Sequence, residues 1–315
     1  MKDITVKGKN ILVTGVRGFV GNNLMQRLGQ LGAHVYGISH SSESKNIIKA
    51  NILDYTKVNS IVKDKKITIC FHLAGEALVE AGQERPYDTF KTNIEGTLNM
   101  LEIGRVHGLE RIVIASSSHV YGKNRVPYFE GYTPRPSRPY ETSKACMDLI
   151  AKSYADTFNL PVLIPRFVNI YGPGDLNFHR LIPKTIRNIL EGKDPTMWGG
   201  DAIRDYLYID DAIEAYVALG TIGIAKVGTN RIFNFGSNNT ISVKELIGKI
   251  IALAGSDVEI NRVDDKREAE IKSQYVSFKK ANRLLHWQPK TNLDNGLGKT
   301  ISWYKEFLAV SPHHL

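Results

Sequence analysis

The feature that most constrains this 315-residue chain is a glycine-spaced loop between an apolar strand and an amphipathic helix. Asn10-Ile11-Leu12-Val13 reads as a buried strand. Val13-Thr14-Gly15-Val16-Arg17-Gly18-Phe19-Val20-Gly21 follows it, and residues 19–31 carry a helical pattern. Glycine permits the tight turn and lets backbone approach a ligand, while the helix N-terminus offers free N–H groups to a pyrophosphate. A glycine triplet alone often only makes a tight connection. Here the strand before it and the helix after it favour dinucleotide binding. Gly15, Arg17, Gly18, Phe19, Val20 and Gly21 are therefore candidate cofactor contacts.

The pattern continues along the first half. Strands are expected at residues 33–38, 67–71, 111–114 and 162–164, and helices at 88–106 and 140–158. Strands alternating with helices of this length mean βαβ units and a parallel sheet covered on both faces. The expected fold is α/β, a Rossmann-like doubly wound parallel sheet with a smaller C-terminal lobe. Residues 1–167 form the dinucleotide-binding part. Beyond Arg166 the pattern loosens, with Pro and Gly clustered in Tyr171-Gly172-Pro173-Gly174 and around Pro195 and Gly199-Gly200. Short strands at 206–209 and 232–235 are expected to return to the main sheet, so that 205–236 belongs with it. Residues 168–204 and 237–315 make the smaller lobe.

Composition narrows the function. The two cysteines, Cys70 and Cys146, lie in no CxxC or Cys/His cluster, so neither a disulfide framework nor a metal site is expected. There is no run of 18 apolar residues, and no apolar core follows Met1-Lys2-Asp3-Ile4. The expectation is a soluble cytoplasmic protein with no membrane partner. The balance of 41 Lys+Arg against 32 Asp+Glu gives a net charge of +9. That suits a polyanionic partner. With the charges scattered and no nucleic-acid-binding motif, a phosphate-bearing metabolite is favoured over nucleic acid.

Cofactor choice is read at the end of the second strand, where an acid binds the ribose 2′-hydroxyl and repels a 2′-phosphate. The sequence there is Ile38-Ser39-His40-Ser41-Ser42, with no acid before Glu43. Arg17 can reach the same region. The cofactor is read as NAD or NADP, and these two features favour NADP. Ser39 and His40 are candidate contacts there, and Asn51-Ile52 is a candidate adenine contact.

Pro139-Tyr140-Glu141-Thr142-Ser143-Lys144 opens a helix, and the i, i+4 spacing puts Tyr140 and Lys144 on one face. A nearby ammonium lowers a phenol's pKa, so Tyr140 is a candidate general base toward a sugar hydroxyl. Lys144 can also hold the nicotinamide ribose. Such spacing alone is common in packing and surface residues. It gains weight from Ala115-Ser116-Ser117-Ser118-His119-Val120-Tyr121-Gly122, a serine-rich strand end of the kind where α/β sheets place ligands. Ser117 is read as a donor to the substrate oxygen, not a nucleophile, since no G-x-S-x-G is present.

Together these elements resemble the extended short-chain dehydrogenase/reductase family, in its nucleotide-sugar epimerase/dehydratase branch. The resemblance spans nearly the whole chain. It runs through the glycine loop, Phe71-His72-Leu73-Ala74, Thr92-Asn93-Ile94-Glu95-Gly96-Thr97, the serine-rich strand end, the Tyr140–Lys144 pair and residues 166–174. It continues through 204–211, Phe233-Asn234-Phe235-Gly236 and Leu284-Leu285-His286-Trp287-Gln288-Pro289. It implies a catalytic set of Ser117, Tyr140 and Lys144, with Leu73, Ala74 and Asn93 added to the cofactor contacts. It further implies a nucleotide-diphosphate sugar as substrate, held by the smaller lobe. Asn169 and Arg204 would hold the diphosphate, with Asn234 a weaker match of the same kind. Arg180 and Leu181 lie in the segment beside the nucleobase, and Trp198 lies across from it. A homodimer built on the helices at 88–106 and 140–158 is also implied.

Residues 171–178 and 269–275 look closest to CDP-glucose 4,6-dehydratases, and UDP-glucose 4-epimerase-like enzymes are similar too. Sugar 4,6-dehydratases carry an acid and then a glutamate or lysine after the serine or threonine. Here those positions are Ser118, a candidate substrate contact, and His119, whose imidazole can act as acid or base. Tyr140 chemistry at C4 of an NDP-hexose yields a 4-keto sugar. Three outcomes remain open: 4-epimerisation, the headline expectation; 4,6-dehydration with His119 as acid/base; and NADPH-dependent reduction of a 4-keto sugar. A non-catalytic NAD(P)-binding protein is the alternative of another class.

Overall fold

In the computed structural model, residues 3–263 and 271–310 are described. Met1 and Lys2, and Ala269 and Glu270 of the dehydratase-like stretch, lie outside the described residues. The first half builds the strands β1 (Asn10–Thr14), β2 (His34–Ser39), β3 (Ile47–Lys49), β4 (Ile69–His72) and β5 (Arg111–Ile114). The two-residue β6 (Ser116–Ser117) pairs with β7 (Val162–Phe167). Then come β8 (Asn169–Tyr171), β9 (Thr196–Trp198), β10 (Ile203–Tyr208) and β11 (Ile232–Phe235). The main sheet runs β3-β2-β1-β4-β5-β7-β11, and every neighbouring pair in it is parallel. This is the doubly wound α/β order the sequence predicts.

Parallel neighbours need crossovers, so helices cover both faces. Alternate residues along a strand serve opposite faces. Leu12, Cys70, Ile112 and Val162 pack toward α2 (Tyr55–Asp64), α5 (Gly96–His107) and α6 (Pro139–Phe158). Ile11, Val13, Phe71 and Val113 belong to the core on the other face, which includes Leu24 and Leu28 of α1 (Phe19–Gln30). The helix expected at 88–106 is interrupted. The segments α3 (Val79–Glu84) and α4 (Pro86–Phe90) precede a π-helical turn at Lys91–Glu95, and α5 continues from it. That widened turn carries the fully buried Asn93, whose side chain bonds to another segment.

One strand assignment needs correction. The segment expected at 206–209 does not rejoin the main sheet. Both sides of β7 are already taken, by β5 with β6 on one side and by β11 on the other. β10 instead pairs with β8 in a smaller sheet (Tyr206↔Asn169) that also holds β12 (Thr240–Ser242) and β14 (Ser273–Gln274). β9 pairs with β13 (Asn261–Val263) beside it. What returns from this region is β11 and the helix Ile209–Thr221, whose Ala212, Ala215 and Leu219 join the core shared with α1.

A buried ion pair ties β7 to α6. Arg166 and Asp148 meet at 2.7 Å with side chains 2 % and 3 % exposed. The guanidinium also stacks over the Tyr121 ring at 4.6 Å. Removing one partner leaves an uncompensated buried charge, a loss of about 3–5 kcal/mol. Arg166→Met should therefore lower stability by about that amount in urea unfolding. Adding Asp148→Leu should recover most of the loss.

Candidate active site

The C-terminal ends of β1, β4, β5 and β6 face one cleft. β1 turns sharply at Gly15, whose φ is +69°. A Cβ there would stand 2.8 Å from the Ala74 nitrogen, and one at Gly21 would stand 2.3 Å from the Gly15 carbonyl oxygen. Only glycine lets the loop lie this close to the end of β4 and to its own helix. The Thr14 hydroxyl closes the same junction. It accepts from the Leu73 and Ala74 amides, each at 3.1 Å, so it donates to Nδ1 of the buried His72 at 2.8 Å. Burial pushes the His72 pKa down to about 3, so the ring is neutral and able to accept.

The glycine loop lines a cavity of about 550 Å³. Gly15, Arg17, Gly18, Phe19, Val20 and Gly21 form one side of it. Ser39, His40, Asn51 and Ile52 lie at the β2 end, and Leu73 and Ala74 at the β4 end. Helix α1 starts at Gly18 without a side-chain cap and has no acid in its first turn. Its first amides therefore suit a pyrophosphate, and the residues present fit a dinucleotide. Asn93 does not line this cavity. Its Oδ1 accepts from Glu76 N at 2.8 Å, and its Nδ2 donates to Ser143 Oγ at 2.8 Å. It holds the loop after β4 against α6.

A second cavity, of about 430 Å³, shares Val20, Leu73, Ala77 and Arg180 with the first. Ser117, His119, Tyr140 and Lys144 line it from the main sheet side. Asn169, Leu181, Trp198 and Arg204 line it from the smaller lobe. Two expected contacts fall elsewhere. Asn234 is fully buried, accepts from the Tyr121 hydroxyl at 2.8 Å and donates to Tyr128 O at 3.1 Å, so its amide is consumed in packing. Ser118 is 3 % exposed and does not line the cavity, because the 3₁₀ turn Ser118–Tyr121 carries it inward.

The electrostatics differ from expectation at Tyr140. Burial raises the phenol's pKa. Ser117, hydrogen bonded to the phenol, and Arg180 oppose that rise. The Glu76 and Glu141 carboxylates add to the rise. The Lys144 ammonium donates to Ala115 O at 3.0 Å. Burial pulls the Lys144 pKa down to about 8, against the attraction of Asp148 and Glu76.

Sequence reading missed Glu141. It sits at the third position of α6, where its Oε2 accepts from Ser137 N at 3.0 Å and Arg138 N at 3.3 Å. Its Oε1 stands 3.8 Å from His119 Nδ1, an electrostatic contact rather than a closed hydrogen bond. The His119 ring in turn lies edge-on to Tyr140 at 5.9 Å. Nothing local in the sequence announced its contact with residue 119.

A dinucleotide cradle beside a tyrosine–serine–lysine wall, faced by an arginine- and asparagine-bearing lobe, defines a nicotinamide-dependent enzyme for a phosphorylated substrate. Over residues 11–236 the chain matches the model of the NAD dependent epimerase/dehydratase family, and it belongs to that family of nucleotide-sugar enzymes. It is 30% identical to a UDP-glucuronate 4-epimerase of Thermodesulfobacterium geofontis, over 94% of this chain and 96% of that one. A UDP-glucose 4-epimerase of Thermotoga maritima, solved with UDP-glucose, superimposes with a TM-score of 0.87 at 26% identity, covering 95% of this chain and 99% of that one. A dTDP-glucose 4,6-dehydratase of Bacillus anthracis, solved with NAD, gives 0.83 at 27%, covering 95% and 97%.

The expected preference for NADP finds no support. A missing acid only removes a repulsion toward a 2′-phosphate. Ser39 and Ser41, whose hydroxyls meet at 3.0 Å, offer oxygens equally suited to a free diol. Among the described residues no helix is long and apolar enough to cross a membrane, and no group of three or more His, Cys, Asp or Glu could hold a metal ion.

Lys144 supplies a test with opposite signs for stability and activity. Its folded pKa lies below the ordinary lysine value of about 10.5. The charged form is therefore penalised in the fold below about pH 8, by on the order of 3 kcal/mol, and the penalty fades as pH rises toward 10.5. Lys144→Met should lose turnover and weaken NAD binding while its melting temperature at pH 7 is unchanged or higher. Between pH 8 and 10.5 the wild-type protein should gain stability relative to the variant.

Proposed function

We propose that the chain inverts the configuration at C4 of a nucleotide-diphosphate hexose, with NAD as the bound dinucleotide. The observation that carries this reading is the placement of Tyr140 and Ser117 in the wall of the cavity that Asn169 and Arg204 face from the smaller lobe. Arg204 brings a guanidinium fork and Asn169 an amide donor, both suited to diphosphate oxygens. Trp198, 41 % exposed, offers a ring face for a base. The similarity to two 4-epimerases points the same way and makes a UDP-hexose the first probe.

The dinucleotide, when bound, supplies the acceptor and donor of the C4 hydride. Tyr140 Oη takes the C4 hydroxyl proton and later returns it. The Ser117 hydroxyl accepts from His119 N at 3.2 Å and hydrogen bonds to the phenol, which favours the phenolate and keeps the two hydroxyls side by side for the sugar oxygen. Burial of Tyr140 opposes the phenolate, and Arg180 favours it. Holding sugar and phenol in register can supply about 7–11 kcal/mol of the barrier through proximity. Inversion requires the 4-keto sugar to turn over within the cavity, and no further acid or base.

One observation favours a second reading. His119 lines the cavity and is backed by the Glu141 carboxylate, whose pKa is lowered by His119 and the Ser137 amide against burial. An imidazole so placed can move protons next to a C4 ketone, which is what 4,6-dehydration needs. We further read the chain as a homodimer, with Leu98, Val106, Leu149 and Phe158 on α5 and α6 as the exposed apolar side chains at its interface.

Incubation with a panel of NDP-hexoses, followed by mass spectrometry and NMR, separates the outcomes. Unchanged mass with a new C4 configuration is expected. Loss of one water would give the reaction to the His119 route, and turnover only with added NADPH would make the protein a reductase. Tyr140→Phe should lower kcat by about a hundredfold or more while NAD still binds. Full turnover in that variant would remove Tyr140 from the chemistry.

A further inference from the structure

The N-terminal edge of the main sheet, opposite the ligand cleft, holds two guanidinium groups that the fold leaves largely unclaimed. Arg111 is the first residue of β5 and is fully buried. Its Nη2 donates to Ile222 O at 2.5 Å, but Nε and Nη1 have no partner among the described residues. Arg231 immediately precedes β11 and is half-buried. Its Nε and Nη1 are also buried without a protein partner. Only β7 separates β5 from β11 in the sheet, so the two side chains start from neighbouring strand ends.

The charge of Arg231 is felt at Arg111. Burial and then the charge of Arg231 hold the Arg111 pKa at about 10, well below its usual value. Asp156 is the acid that acts on Arg231, and its carboxylate is paired with Lys152. A third cation adds to the field. Lys280 Nζ donates to the carbonyls of Asn230 and Ile232, on either side of Arg231. Elsewhere in the same sheet the buried Arg166 is met by Asp148, which shows how this fold neutralises a guanidinium. Buried charges without a counter-charge are costly, and a fork with free N–H groups is shaped to take paired oxygens.

We propose that Arg111 and Arg231 form a binding site for a small inorganic oxyanion, phosphate in the first instance, on the edge of the sheet opposite the active cleft. Four nitrogens are free to donate, two from each fork, which suits an anion with several oxygens better than a monatomic one. The bound anion adds counter-charge beyond that of Asp156, which is shared with Lys152. This site is independent of the reaction assigned above.

The test is thermal unfolding of the full chain against sodium phosphate, with sodium chloride at matched ionic strength as reference. Wild-type protein is compared with Arg231→Met and Arg231→Gln. Phosphate that enters the active cleft contributes equally to all three proteins, so the difference between them reports this site. The wild-type melting temperature should rise saturably above the chloride reference, by on the order of 2–5 °C. Both variants should lose that increment. Their melting temperatures without phosphate should equal or exceed that of the wild type, because a repelling charge is gone. A wild-type curve that follows the chloride reference, or variants that keep the full increment, would overturn the proposal and assign these N–H groups to solvent water. If only one variant folds, it decides the question alone.

Discussion

The site depends first on how closely β1 can approach the end of β4. Gly15 lies against Leu73 and Ala74, and the Thr14 hydroxyl draws in both of their amides. That contact fixes the angle at which α1 leaves the sheet and aims its amides into the cavity. It also requires His72 to be a neutral acceptor, which full burial ensures. A side chain at Gly15 or Gly21 would push the loop outward, and the floor of the dinucleotide cavity would move with it.

From that junction the parallel sheet distributes the remaining groups. The strand ends after β4 and β5 supply the loop at Glu76 and the Ser117 hydroxyl. Helix α6 brings Tyr140 and Lys144 to the same cleft. The smaller lobe takes its position from β8, which continues β7 and passes to β10 because β7 has no free edge. The two ligand cavities share walls for this reason, and Arg180 stands where they meet. Its charge acts on the Tyr140 phenol, a role that spacing along the chain assigned to Lys144.

Much of this was legible in the sequence because it is local. The glycine loop, the alternation of strands and helices, and the one-face placement of Tyr140 and Lys144 all follow from short-range geometry. The misreadings came from long-range packing. The segment 206–209 has strand character, but which sheet receives it depends on edges that only the assembled fold fills. Asn234 sits in a motif, yet two tyrosines 106 and 113 positions away consume its amide. Asn93 reads as a ligand contact, and the fold spends its amide as a strut between two segments. Glu141 carried no assignment from the sequence, and only the folded chain brings it beside His119.

Glu141 joins two tasks in a single carboxylate. One oxygen secures the chain entering α6, and the other faces the imidazole that lines the second cavity. The wall segment 117–119 and the start of the tyrosine helix are thus braced by the same group. Transplanting only those three positions from a relative with different chemistry would leave a sequestered anion confronting whatever replaced the histidine. Redesign of the outcome here has to treat residues 119 and 141 as one unit of exchange.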